Sequence, residues 1–198
     1  PDDNDKEVTE EEIRMMVDVA SESDSIEDNE KKMIENIFEF NDKEVSEVMT
    51  HRKKIVSLPR DASYEETLKV ASTEKFTRIP VYDETIDDII GILHIKDLLG
   101  MTEKEIETFT LSKIVRDAIF VHETKKISAL FSEMKTCGMQ MAVVLDEYGG
   151  TMGIVTMEDV IETMLGQEIV DEKDEVVDMQ EYAKDQWEKA QKDIVKAE

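Results

Sequence analysis

Along the first fifty residues apolar side chains recur at helical spacing. Thr9-Glu10-Glu11-Glu12 has the capping-box pattern, and Ile13, Met16 and Val17 follow it, which predicts a first helix. Ser21 to Asn29 is polar and acidic and reads as a loop or short turn. Met33, Ile34, Ile37 and Phe38, with Phe40 near the end, form the stripe of a second helix that Asn41 and Asp42 punctuate. Asp42-Lys43-Glu44-Val45 is another capping-type start, leading towards Val48 and Met49.

Beyond residue 48 the pattern occurs twice, which is the strongest organisational signal in the chain. Each occurrence opens with a short strand, Ile55 to Leu58 and Ala118 to Val121. A helix follows (Tyr64 to Ser72; Ile127 to Lys135), then a strand ending in Asp (Ile79 to Asp83; Met141 to Asp146). After a turn, a strand opening with glycine (Gly91 to His94; Gly153 to Thr156) leads into a last helix. Gly91 and Gly153 lie 62 residues apart, as do Asp97 and Asp159. The fold class is α+β. Each β-α-β-β-α half would expose one face of a small sheet, so the halves should pack together about a pseudo-twofold axis. The expected divisions are a helical acidic linker over 1–47, repeats over 48–110 and 111–166, and an acidic tail over 167–198, helical from Met179 onward.

The net charge of -25 on 198 residues is concentrated towards the two ends. Such a surface repels phosphate backbones and anionic headgroups, which argues against nucleic-acid binding. No apolar run is long enough to span a bilayer. With Pro1 first and no signal-peptide pattern, the chain reads as part of a longer protein. The single cysteine, Cys137, cannot form an internal disulfide and reads as a small buried or half-buried hydrophobe.

The doubled β-α-β-β-α pattern, with Gly153-Ile154-Val155-Thr156-Met157-Glu158-Asp159 closing the second half, resembles the CBS-domain pair, or Bateman module. Three ordered segments are similar to the CorC/HlyC branch that includes the cyclin M (CNNM) magnesium transporters: "EEEIRMMVDVASESDSIEDNEKKMIENIFEFNDKEVSEVMT", "FTRIPVYDETIDDIIGILHIKDLL" and "DEYGGTMGIVTMEDVIE". Relatives usually carry proline where this chain has His51. The resemblance implies a regulatory module on the cytoplasmic face of the cell membrane, following a transmembrane domain of the same protein. It also implies a homodimer through the CBS pair and a bound adenine nucleotide, AMP or ATP, with or without Mg²⁺.

Thr156 and Asp159 admit two readings. As a capping box, the hydroxyl accepts from the Asp159 N–H and the carboxylate reaches back to the Thr156 N–H. As a ligand site, the same helix start offers free N–H groups and partial positive charge to a phosphate, while the carboxylate accepts from both ribose hydroxyls. The two are compatible, since a ligand can replace the capping bonds. The first repeat reads His94-Ile95-Lys96-Asp97 at the matching place, keeping the acid and losing the hydroxyl. One competent nucleotide site and one degenerate site are therefore expected, with His94 a partly buried strand-end residue.

A polyphosphate also needs positive charge, and the densest basic cluster is Thr50-His51-Arg52-Lys53-Lys54. Lys53 and Lys54 read as solvated. The resemblance places the adenine edge beside Thr50 and the backbone that follows, and Arg78 offers a fork for phosphate. It thus implies a site built from Thr50, Ile55, Arg78, Ile79, Pro80, Thr156 and Asp159, with no metal held by protein ligands alone.

Asp83, Glu84, Asp87 and Asp88 lack the spacing of a calcium loop and read as a solvated hairpin. Asp146 to Gly150 reads as a turn, and Met139, Met141, Met152, Met157 and Met164 as core or cleft lining. His51, His94 and His122 are scattered and no nucleophile has a base at a suggestive spacing, so the chain reads as no enzyme. A structural dimerisation module without ligand is the alternative to the nucleotide-sensing reading.

Overall fold

In a computed structural model residues 8–166 are described, so the expected tail over 167–198 and its helix from Met179 lie outside the described residues. Helices α1 (Glu10–Glu22) and α2 (Asp28–Phe40) form the linker, followed by a short α3 (Val45–Val48). The first repeat runs β1 (Thr50–His51), β2 (Leu58–Pro59), α4 (Tyr64–Glu74), β3 (Arg78–Tyr82), β4 (Ile89–His94), α5 (Lys96–Leu99) and α6 (Glu103–Glu107). The second runs β5 (Ile119–His122), α7 (Ile127–Cys137), β6 (Met141–Leu145), β7 (Thr151–Thr156) and α8 (Met157–Leu165).

The loop or short turn expected over Ser21–Asn29 is a short turn between Glu22 and Asp28, where the Glu27 N–H donates to the Glu30 carboxylate at 2.8 Å. One expectation at the start of the first repeat is corrected. The strand expected over Ile55–Leu58 is reduced to its last residue. The chain there passes through a single helical turn at Arg52–Lys54 and crosses from one sheet to the other, so residues 55–57 have no strand partner.

That crossing organises the fold. One sheet has the order β2-β3-β4 and the other β1-β7-β6-β5. The strand that opens the first repeat thus pairs with the last strand of the second, Thr50 opposite Ile154. In return, Arg116, at the start of the second repeat, bridges to Ile92 of β4 through N–H···O=C bonds of 2.9 and 3.0 Å. Ile92 and Ile154 are themselves 62 residues apart, so the exchange is mutual and defines the pseudo-twofold relation. The two glycines at the same spacing have one cause. A Cβ on Gly153 would stand 2.5 Å from the Thr50 carbonyl oxygen and 2.8 Å from the Met49 sulfur. A Cβ on Gly91 would collide with the Arg116 carbonyl oxygen and a Val115 methyl. Only a residue without a side chain lets the opposite repeat's backbone come that close.

Strand alternation then divides the core into three. Ala142 and Val144 of β6 face α7 and α8, while Met141 and Val143 face the other sheet. Ile79, Val81 and Leu93 pack under α4 with Leu58, Ala71 and Leu98. Ile89 and Ile92 meet Met141 and Val143 between the sheets. Both sheets are therefore sandwiched, helices outside and sheet against sheet within.

The linker is welded to the second repeat. Phe40 and Val45 belong to its core with Val121, Ile127 and Leu130, and Phe40 meets Phe131 edge to face at 6.4 Å between centroids. The Val45 N–H donates to the Lys125 carbonyl at 2.9 Å, and the Ile127 N–H to the Lys43 carbonyl at 3.1 Å. Cys137 corrects the expectation of burial. The inward stripe of α7 runs through Ile127, Leu130 and Met134, and the helix ends at Cys137 with its thiol exposed.

Candidate functional site

The strand-to-helix junction at Thr156 carries the capping geometry in full. The Thr156 N–H and hydroxyl both donate to Oδ2 of Asp159 at 2.7 Å, and the Asp159 N–H donates to Thr156 Oγ1 at 3.2 Å. Both side chains are half-buried. A β-region backbone at Thr156 (φ -104°, ψ 164°) turns the chain from β7 into α8. The carboxylate thus sits in the first turn of a 9-residue helix, where it complements the helix dipole.

Asp159 also borders a cavity of 370 Å³ beneath the linker, shared with Asn36 of α2, Lys43, Glu47 and Thr163. Gly166, just past α8, lies so close to Asn36 that a Cβ there would strike the amide group. The helix that begins at Thr156 therefore ends against the linker. Any ligand that rearranges the first turn of α8 acts on an element in direct contact with α2.

A larger cavity of 460 Å³ opens at the matching junction of the first repeat. It is lined by Arg78, Ile92, His94, Lys96, Arg116 and Asp117, and by Gly138 to Met141 from the far end of α7. Arg116 grips Asp97 with two bonds, Nε to Oδ2 at 2.9 Å and Nη2 to Oδ1 at 2.7 Å. Burial, followed by the positive charges of Arg116 and Arg78, pushes the His94 imidazole below its ordinary range, so its neutral form is favoured. Arg78 Nε is buried with no hydrogen-bond partner among the described residues.

Strand register carries these positions onto the second junction. Arg78 stands opposite His94 as Met141 stands opposite Thr156, and Arg116 meets Ile92 as Thr50 meets Ile154. The counterparts of Ile92, His94 and Lys96 are Ile154, Thr156 and Glu158. The residues expected from sequence distribute accordingly. Thr50 and Thr156 are brought to one junction through β1 and β7. Ile55 is half-buried just after the helical turn that follows β1. Ile79 is fully buried in the first repeat's core, so only its backbone is free to meet a ligand, and Pro80 is buried opposite Ile92. Arg78 lines the cavity of the first repeat beside His94.

The basic cluster at residues 50–54 is partly neutralised. Arg52 forms a two-bonded pair with Asp87 at 2.6 and 3.1 Å, Asp83 holds Arg60 at 2.8 Å, and Lys53 and Lys54 are exposed as expected. His94 is half-buried at the end of β4, and the methionines line core and cleft, also as expected. Among the described residues no cluster of His, Cys, Asp or Glu could hold a metal ion. Arg116 and Lys96 were not singled out by sequence reasoning. The signal was present in the repeat itself, because Arg116 stands at the start of the second repeat as Thr50 stands at the start of the first.

Two β-α-β-β-α units that exchange flanking strands across a pseudo-twofold axis define a CBS pair, and the CBS-domain family model matches residues 45–102 and 111–166. The chain belongs to this family, in its CorC/HlyC and CNNM group. It superimposes on the CBS domain of a bacterial CNNM/CorC family Mg²⁺ transporter with a TM-score of 0.79 and 37% identity, covering 83% of this chain and 100% of that one. The CBS domain of the bacterial CNNM/CorC transporter in complex with ATP matches at TM-score 0.67 and 37% identity, over 70% of this chain and 98% of that one. The magnesium and cobalt efflux protein CorC of Escherichia coli K12 is 33% identical over 178 residues, which are 89% of this chain. The chain spans 61% of that relative's length. No helix among the described residues is long and apolar enough to cross a membrane.

Proposed function

We propose that this CBS pair is the cytoplasmic regulatory module of a membrane transporter of the CorC type, binding adenine nucleotide with Mg²⁺ at the Thr156–Asp159 junction. The observation that carries the reading is the position of α8: it starts with the hydroxyl and acid suited to a sugar-phosphate and ends against the linker helix α2. The ATP complex of a 37% identical CBS domain supports the choice of ligand.

The residues fit such a group. Thr156 can exchange its bond to Asp159 for one to a phosphate oxygen, which frees the carboxylate for two ribose hydroxyls. Thr50 and Ile55 border the adenine, with the backbone of Ile79 and Pro80 opposite. Phe76 joins them. It is 50% exposed and is the counterpart of Met139, which lines the first-repeat cavity, so its ring offers a stacking surface. Glu158 stands where the first repeat has Lys96, so a phosphate chain there gains from a divalent cation that screens the acid.

Coupling follows if the nucleotide binds one arrangement of α8 and α2 better than another, since only differential affinity moves an equilibrium. In the full protein the module pairs with a second copy, and screening of its acidic surface by Mg²⁺ favours that association. Thermal denaturation of the chain with and without ATP-Mg²⁺ tests the reading. Ligand at a hundred times its dissociation constant adds about 2.7 kcal/mol of stability, a rise of roughly 5–10 °C for a chain of this size. An unchanged melting temperature with ATP, ADP and AMP alike would favour a structural dimerisation module instead.

A further inference from the structure

We propose that the first-repeat cavity is a separate site for a compact phosphate-type anion, recognised by cationic side chains without a sugar. The pseudo-twofold relation makes the contrast direct. Where the second junction presents Thr50, Met141, Thr156 and Glu158, this one presents Arg116, Arg78, His94 and Lys96. Neutral and acidic groups on one side of the axis are basic on the other, in a chain whose net charge is -25.

The acid that could accept ribose hydroxyls here is Asp97, and Arg116 occupies both its oxygens. A nucleoside would have to break that pair. An anion would not, because the guanidinium edge beyond the pair and the Lys96 ammonium remain to meet it. Lys96 makes no ion pair among the described residues. Arg78 Nε is an orphaned buried donor at the same cavity, and a buried donor without a partner carries a free-energy penalty that an incoming oxygen relieves. His94 stays mostly neutral there because burial and the facing cations Arg116, Arg78 and Lys96 outweigh the attraction of Asp97. A bound dianion reverses that balance and lets His94 take up a proton and donate as well. The volume of 460 Å³ has room for diphosphate with water around it.

The test is titration of the full chain with inorganic pyrophosphate, followed by calorimetry and by the His94 ring resonances. Binding of one pyrophosphate per chain is expected, with a rise in the His94 titration midpoint on saturation. Lys96→Gln and Arg116→Gln, both at exposed positions, should each weaken pyrophosphate by about tenfold or more, as loss of a charge-assisted bond does. Asp159→Asn should leave it unchanged while weakening ATP, which separates this site from the nucleotide site. Absence of pyrophosphate binding, or binding indifferent to Lys96 and Arg116, overturns the proposal. So does pyrophosphate binding that ATP displaces only when Asp159 is intact, since the anion position would then be the tail of the nucleotide.

Discussion

Asp159→Asn weakens ATP-Mg²⁺ by about a hundredfold and leaves the fold standing. The asparagine oxygen still accepts the Thr156 N–H bond now made at 2.7 Å, so the cap on α8 is largely kept. The charge that binds two ribose hydroxyls is lost. Hydrogen bonds to a charged group contribute about 1.5–3 kcal/mol each, and 1.4 kcal/mol is a factor of ten. Calorimetry on the variant, beside a melting curve within about 1 kcal/mol of the parent's stability, checks both halves of the expectation. Unaltered affinity would mean that the junction is a helix cap and nothing more.

Gly153→Ala produces a large loss of stability. Its methyl would stand 2.5 Å from the Thr50 carbonyl and 2.8 Å from the Met49 sulfur. The sulfur belongs to a flexible side chain and can move, but the carbonyl is backbone in a strand pair and cannot move alone. Relief requires β1 to leave β7, which undoes half of the exchange that joins the repeats. A cost of about 3 kcal/mol follows, seen as a fall in melting temperature of roughly 6–12 °C. Gly91→Ala meets the same obstacle from Arg116 and Val115 and should behave alike. If Gly153→Ala melted with the parent, the close crossing of β1 over β7 would not be holding the repeats together.

Much of this architecture was legible because local rules and the global fold agree. Thr9, Ser63 and Thr156 each sit three residues before an acid, and each caps a helix as the pattern demands. The glycine spacing marked the repeat and, with it, the two positions where a foreign backbone passes. What stayed hidden depends on pairing across the repeats. Nothing in Thr50-His51 says that this pair joins the last strand of the other repeat, so the first strand was sought at Ile55 instead. Cys137 looked apolar and inward, yet the helix stops before another inward turn can form. The site showed the same limit. Thr156 and Asp159 announce themselves by spacing alone, whereas Arg78, His94, Lys96 and Arg116 come together only through register and crossover.

The relay from ligand to linker is the central claim, and hydrogen exchange on the full chain reads it most directly. With ATP-Mg²⁺ present, the amides of the first turn of α8 and of α2 around Asn36 should both slow, while Asp159→Asn abolishes the change in both. Protection confined to the Thr156 junction, with α2 exchanging at its unliganded rate, would show that the nucleotide is bound without being passed on, and would contradict the account.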